Sequence, residues 1–185
     1  MTVTTPRVPP LEPSEFTPEQ AALVGDWTHL VFSRVLVRHP AMYRSFVPFI
    51  KQLIAGTTLP PRDREVLVLR TLALAGETYE AHHHAMIAAN AGMSAADIAA
   101  AANGTAVEDF DTVLIRAAGE LFGGQDMSDA TWAALRERYS EEQAMEVVFL
   151  VGCYVTMAML TKSFGMPLEG EEQDFERITA LRQYT

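Results

Sequence analysis

Cysteine is nearly missing: Cys153 is the only one in 185 residues. That scarcity excludes an intrachain disulfide, a two-thiol redox pair and a cysteine-rich zinc site. Lysine is almost as rare. Lys51 and Lys162 are the only two, and neither neighbours the densest group of ionisable residues, so Schiff-base chemistry is not expected there. Positive charge is scarce as a whole. The formal net charge of −10 disfavours a nucleic-acid partner, because binding a phosphate backbone relies on Lys and Arg displacing counterions. It equally disfavours anionic membrane surfaces. The start of the chain has no basic segment leading into an apolar one, as a secretory signal would. The longest apolar run, Ala144 to Leu160, is interrupted by Glu146 and falls short of the ~18 residues of a membrane span. It reads as a buried core helix, and a cytoplasmic location is expected. Period-2 alternation between hairpin turns is also missing. So are the nucleophile elbow, the Walker loop, the dinucleotide fingerprint and the His-Glu-x2-His zinc helix.

What remains is a helical chain. An apolar fraction of 49% over this length supports one domain with a real core. Residues 1–16 carry Pro6, Pro9, Pro10 and Pro13 and are expected to form an irregular arm. The capping box Thr17-Pro-Glu-Gln20 predicts a helix running to about Val37. Further helices are expected from Pro40 to Ala55, Arg62 to Ala75, and through Met86 and Ile87 to Ala91. Others follow from Ala95 to Asn103, Asp111 to Phe122, Ser128 to Arg138, and Ser140 to Gly165. Gly76, Gly92 and Gly104 stand at stop positions. The predicted architecture is an all-α, single-domain bundle of about seven or eight helices over 17–168. A tail over 169–185 is expected to hold one more short helix at Phe175 to Arg182.

The densest set of proton-transfer groups is Ala75-Gly-Glu-Thr-Tyr-Glu-Ala-His-His-His-Ala85, which holds three of the five histidines. Consecutive residues on a helix stand about 100° apart, so His82, His83 and His84 cannot serve one site equally. If the helix includes Glu77, that side chain lies about 20° from His84 on the wheel. Glu80 and His84 are an i,i+4 pair and can meet on one face. Glu65, on the preceding helix, joins them if the two helices pack antiparallel across Gly76. A carboxylate in apolar surroundings has its pKa raised, and a second carboxylate raises it further. Glu80, His84, Glu65 and Glu77 are therefore the candidate catalytic groups for proton transfer. Arg70, whose guanidinium fork suits a carboxylate, Tyr79 and His83 are the candidates for holding substrate.

Leu59-Pro-Pro-Arg-Asp-Arg-Glu65, Tyr79-Glu-Ala-His-His-His84 and Ala91-Gly-Met-Ser94, in that order and spacing, resemble the carboxymuconolactone decarboxylase family. This group also contains the alkylhydroperoxidase D-like proteins. The similarity continues through Leu114-Ile-Arg116, Met127-Ser-Asp-Ala-Thr-Trp132 and Gly152-Cys-Tyr154, over roughly residues 20–168. The resemblance implies an all-helical fold of the alkylhydroperoxidase D-like type and assembly as a homo-oligomer, a trimer or hexamer. Its thiol-peroxidase branch is similar to Glu-x11-Cys-x2-Cys-x3-His, and the matching positions here are Glu65, Glu77, Glu80 and His84. Glutamates stand where the cysteines would be. A dithiol cycle needs one thiolate to attack and a second thiol to resolve, so peroxidase chemistry is not expected.

The resemblance to the decarboxylase branch implies a lyase or isomerase working without cofactor on a small carboxylated or lactone-type metabolite. Two other readings compete with it. One is a non-catalytic helical oligomer that binds a small ligand. The other is a metal enzyme using Glu77, Glu80, His84 and Glu65, although no second Glu-x2-His motif supports a di-iron bundle; the reading adopted has no metal.

Overall fold

Gly25 divides what the periodicity predicts as one helix. The computed structural model describes residues 5–169. In it α1 (Pro18–Val24) gives way at Gly25 to a 3₁₀ turn (Gly25–His29), and α2 (Val31–Leu36) starts afresh. Gly25 has φ +52° and ψ −129°, a conformation open to glycine and closed to side-chain-bearing residues. The expectation of a continuous helix to Val37 is thus corrected. The other expected helices form within a residue or two of their signals. They are α3 (Pro40–Ala55), α4 (Pro61–Ala75), α5 (Tyr79–Asn90), α6 (Ala95–Asn103), α7 (Asp111–Gly124), α8 (Asp129–Arg136) and α9 (Glu141–Phe164). Among the described residues there are nine α-helices and no strand, and the fold is all-α. The helix expected at Phe175 to Arg182 lies outside the described residues.

α4 is the axis of the bundle. It packs against α5, α6, α7 and α9, and Val66, Leu67, Val68, Leu69 and Leu72 are all buried, which covers every side of the cylinder. α9 is long and apolar enough by length and composition to cross a membrane, yet half of its apolar window is buried inside the fold. That is the pattern of a core helix. The proline-rich arm lies along the surface: Arg7 and Val8 donate backbone hydrogen bonds to Phe164, and Arg38 Nε donates to the Pro9 carbonyl at 2.7 Å.

Two glycine turns position side chains that matter below. Gly76, in the left-handed region at φ +58°, closes α4 and turns the chain straight into α5, its amide bonding to Ala73 and Leu72 carbonyls. Gly104, at φ +79°, closes α6, and a Cβ placed there would come within 2.8 Å of Arg70 Cζ. Arg70 Nη1 donates at 2.9 Å to the Ala102 carbonyl, so its positive charge sits at the C-terminus of α6, where the helix dipole favours it. Gly104→Ala is expected to cost about 1–2 kcal/mol through backbone strain plus displacement of that guanidinium. Urea denaturation of the variant checks it.

Candidate acid/base site

Glu65 has no exposed surface, and a buried carboxylate survives only if its charge is answered. Arg64, the neighbouring residue on α4, supplies Nε at 2.7 Å from Oε1. Its Nη1 also donates to the Ile54 carbonyl, which anchors the guanidinium to the end of α3. On the other side, His84 Nδ1 lies 2.7 Å from Glu65 Oε2. Burial pushes the Glu65 pKa up, but His84 and Arg64 outweigh it and hold the carboxyl below its ordinary value. The carboxylate is thus ionised and can only accept, so His84 Nδ1 carries the proton that it receives.

That fixes the other end of the imidazole. Nε2 faces the Tyr154 hydroxyl on α9 at 2.7 Å, and the two rings meet edge to face with centroids 4.7 Å apart. Burial, then the charges of Glu65 and Glu80, keep Tyr154 well above the usual tyrosine range. The phenol therefore stays protonated, with its oxygen in hydrogen-bond contact with Nε2. Arg64, Glu65, His84 and Tyr154 form an unbroken buried line running from α4 through α5 to α9. Glu80 and His84, the i,i+4 pair that could meet on one face, are not hydrogen-bonded to each other, because the imidazole nitrogens are engaged by Glu65 and Tyr154.

Glu80 belongs to a second cluster on the adjacent face of α5. Its Oε2 is 4.0 Å from His83 Nδ1, and it is 7% exposed against 2% for His84. Its negative charge reaches Tyr79, Tyr154 and Cys153. His83 Nε2 is 3.1 Å from Glu169 Oε2, and the Tyr79 hydroxyl donates to Glu169 Oε1 at 2.6 Å. The Cys153 thiol, buried and near Glu80, is pushed up to about 12, which makes it inert as a nucleophile.

Glu77 has different work. α5 begins at Tyr79, so Glu77 lies ahead of the helix and the wheel that aligned it with His84 does not reach it. Its Oε1 accepts from the Tyr79 amide and the Thr161 hydroxyl, both at 2.9 Å, and its Oε2 from the amides of Glu80 at 2.7 Å and Ala81 at 3.3 Å. A carboxylate there satisfies the open amides of the first turn and meets the positive end of the helix dipole. Arg70, held at the end of α6, is not brought to the cluster by any contact it makes. Glu65, Tyr79, Glu80, His83 and His84 are brought together. Among the described residues no three His, Cys, Asp or Glu side chains converge as a metal site.

Sequence reasoning missed Arg64, Tyr154 and Glu169. A signal existed for Tyr154: a tyrosine in the middle of an apolar core helix must find a partner for its hydroxyl. Glu169 had none, since its partners are 86 and more residues away in the chain.

Residues 40–121 match the model of the Carboxymuconolactone decarboxylase family. The match includes Glu65, Glu77, Glu80 and His84 and stops short of Tyr154. No curated protein sequence matches the chain. Among solved structures, the fold is similar to an uncharacterised peroxidase-related protein from Ralstonia eutropha JMP134, described as an alkylhydroperoxidase AhpD core. The TM-score is 0.77 at 18% identity, over 92% of this chain and 95% of that one. A peroxidase-related protein from Silicibacter sp. TM1040 is similar with a TM-score of 0.73 at 11% identity, over 92% of this chain and 96% of that one. At these identities the likeness is one of fold.

Proposed function

We propose, for a chain whose residues 40–121 belong to the carboxymuconolactone decarboxylase family, an acid/base activity of the lyase or isomerase type on a small carboxylated or lactone-type metabolite. The observation that carries the reading is the buried line Glu65–His84–Tyr154, with both of its links at 2.7 Å. Loss of CO2 from a carboxylated lactone leaves an electron pair on carbon, and an acid must deliver a proton to it. Isomerisation asks for the same groups, one to take a proton and one to return it. Glu80, the most exposed member of the set, faces the substrate. His84 accepts and releases protons at Nε2 through Tyr154, while Glu65 fixes its tautomer and stabilises the imidazolium when it forms. This chemistry calls on no redox cofactor and no metal. Peroxide reduction would need thiols where Glu77 and Glu80 stand, and Cys153 is both buried and protonated.

The test is a pH–rate profile with single variants. Glu80→Gln is expected to lower kcat by about 10²–10⁴ with folding intact. Glu77→Gln is expected to keep most of the turnover while losing about 1 kcal/mol of stability, the value of a helix cap. Full activity of Glu80→Gln would place the chemistry on other groups, and no turnover by wild type of any compound tried would favour the competing reading of a non-catalytic ligand-binding protein.

Assembly as a homo-oligomer belongs to the same proposal. Met145, Val148, Phe149 and Met159 are exposed and fall on one face of α9, and Phe49 of α3 extends that face with its ring 6.2 Å from Phe149. An apolar stripe of this kind is typical of a protein–protein contact. Phe149→Glu is expected to shift the sedimentation coefficient to that of a single chain; an unchanged coefficient would put the contact elsewhere.

A further inference from the structure

Past α9 the chain turns at Gly165 and runs without helical structure from Met166. Leu168 is 48% exposed, and the next side chain, Glu169, has no exposed surface. Hydropathy alone would order these two the other way round. What draws Glu169 inward is a set of donors: the Val31 amide at 2.8 Å, the Tyr79 hydroxyl at 2.6 Å and His83 Nε2 at 3.1 Å.

The donors are arranged by the core rather than by Glu169. The Phe32 amide donates to the Tyr79 oxygen at 3.0 Å, which leaves the single phenol proton aimed at the carboxylate. The Tyr79 ring holds His83 edge to face, with centroids 4.3 Å apart. Both residues sit on α5 and are almost fully buried. The acceptor, by contrast, hangs on an irregular segment. Glu80 stands at the opposite nitrogen of the same His83 ring, so a carboxylate in this cradle would bring the atoms next to it close to the proposed acid/base group.

We infer that the cradle formed by Val31, Tyr79 and His83 is a carboxylate-binding subsite, which Glu169 fills in place of a ligand's carboxylate until the segment after α9 withdraws. It rests on the reading above only for the use made of the subsite: a carboxylated substrate would enter carboxylate first. A tethered carboxylate competes at an effective concentration on the order of millimolar, so free ligands must add contacts of their own to displace it.

The experiment is thermal unfolding of the full chain with sodium propionate as probe, against sodium chloride at equal ionic strength. Glu169→Ala is expected to melt below wild type and to be stabilised by propionate with a saturating curve, while wild type barely responds. Adding His83→Phe should weaken that propionate binding by about tenfold or more. Should Glu169→Ala fail to fold, Glu169→Gln keeps the shape of the side chain without its charge. Propionate is then expected to perturb the His83 ring resonances at concentrations about tenfold lower than in wild type. Equal responses of wild type and variant, no response in either, or the same response to chloride would overturn the inference. None of those results bears on proton transfer by Glu80 and His84, which the turnover of their own variants reports.

Discussion

Glu65→Ala is expected to destabilise the protein by about 3–5 kcal/mol, the cost of leaving one buried charge without its partner. The alanine strands the Arg64 guanidinium, which is 2% exposed and whose buried Nη2 has no hydrogen-bond partner among the described residues. It also removes the acceptor from His84 Nδ1. Since a domain of this size is stable by only about 5–15 kcal/mol, much of the folding free energy is at stake. Glu65→Gln keeps the volume and one acceptor and should lose less. The pH dependence distinguishes the two effects. The folded-state pKa of Glu65 is lowered, so as pH falls the unfolded chain takes up this proton before the native one does. The stabilisation is complete above the unfolded value of about 4.3 and is lost as pH drops through the lower native value. Denaturant midpoints of wild type and Glu65→Gln, measured from pH 7 to 3, should therefore converge at the acid end. Parallel curves would mean that the carboxylate's charge contributes nothing.

His84→Ala is expected to have the largest effect on turnover. Among the described residues the imidazole bridges the ionised Glu65 and the protonated Tyr154, so on the proposed mechanism its removal cuts the proton path in the middle. General acid–base catalysis contributes about 10²–10⁴ in rate, and losing its central member should cost the upper part of that range in kcat. KM should change little, because His84 is 2% exposed and its two ring nitrogens are engaged by Glu65 and Tyr154 rather than placed to grip substrate. Tyr154→Phe tests the same line from its far end. It should give a smaller loss with a displaced pH–rate profile, because His84 Nε2 would lose its hydrogen-bond partner. Circular dichroism of each variant separates this from unfolding, as Glu65→Ala would not.

Much of this arrangement could be read from local chemistry. The capping boxes at Thr17, Ser94 and Ser140 form as their spacing predicts, because each is settled within four residues. The approach of Glu65 to His84 follows from one left-handed glycine, Gly76, which folds α5 back along α4. Two misreadings were also local. Gly25 takes a conformation that ends α1, and Glu77, aligned with His84 only on the condition that the helix includes it, stands before the helix and caps it. In both cases helical periodicity continued past a point where the backbone had already changed. The remaining differences come from distance. Arg70 had two destinations open to it, a substrate carboxylate or a helix end, and only the packing of α6 on α4 decides between them. Tyr154 and Glu169 reach α5 from 70 and 86 residues away, and no periodicity carries information over that length. The meeting of Glu65 with His84 was legible, whereas the flanking bonds from Arg64 and to Tyr154 were not.

Proton transfer, as proposed for this site, is distinguished from electron transfer by incubating the protein in deuterated water with a panel of small carboxylated lactones and following each compound by proton NMR. Wild type is expected to place deuterium at the carbon that loses CO2 or shifts its double bond. His84→Ala and Glu80→Gln, folded and at equal concentration, should leave the same compound unlabelled. Peroxide consumption by wild type with a dithiol reductant, together with no labelling of any compound in the panel, would contradict the account.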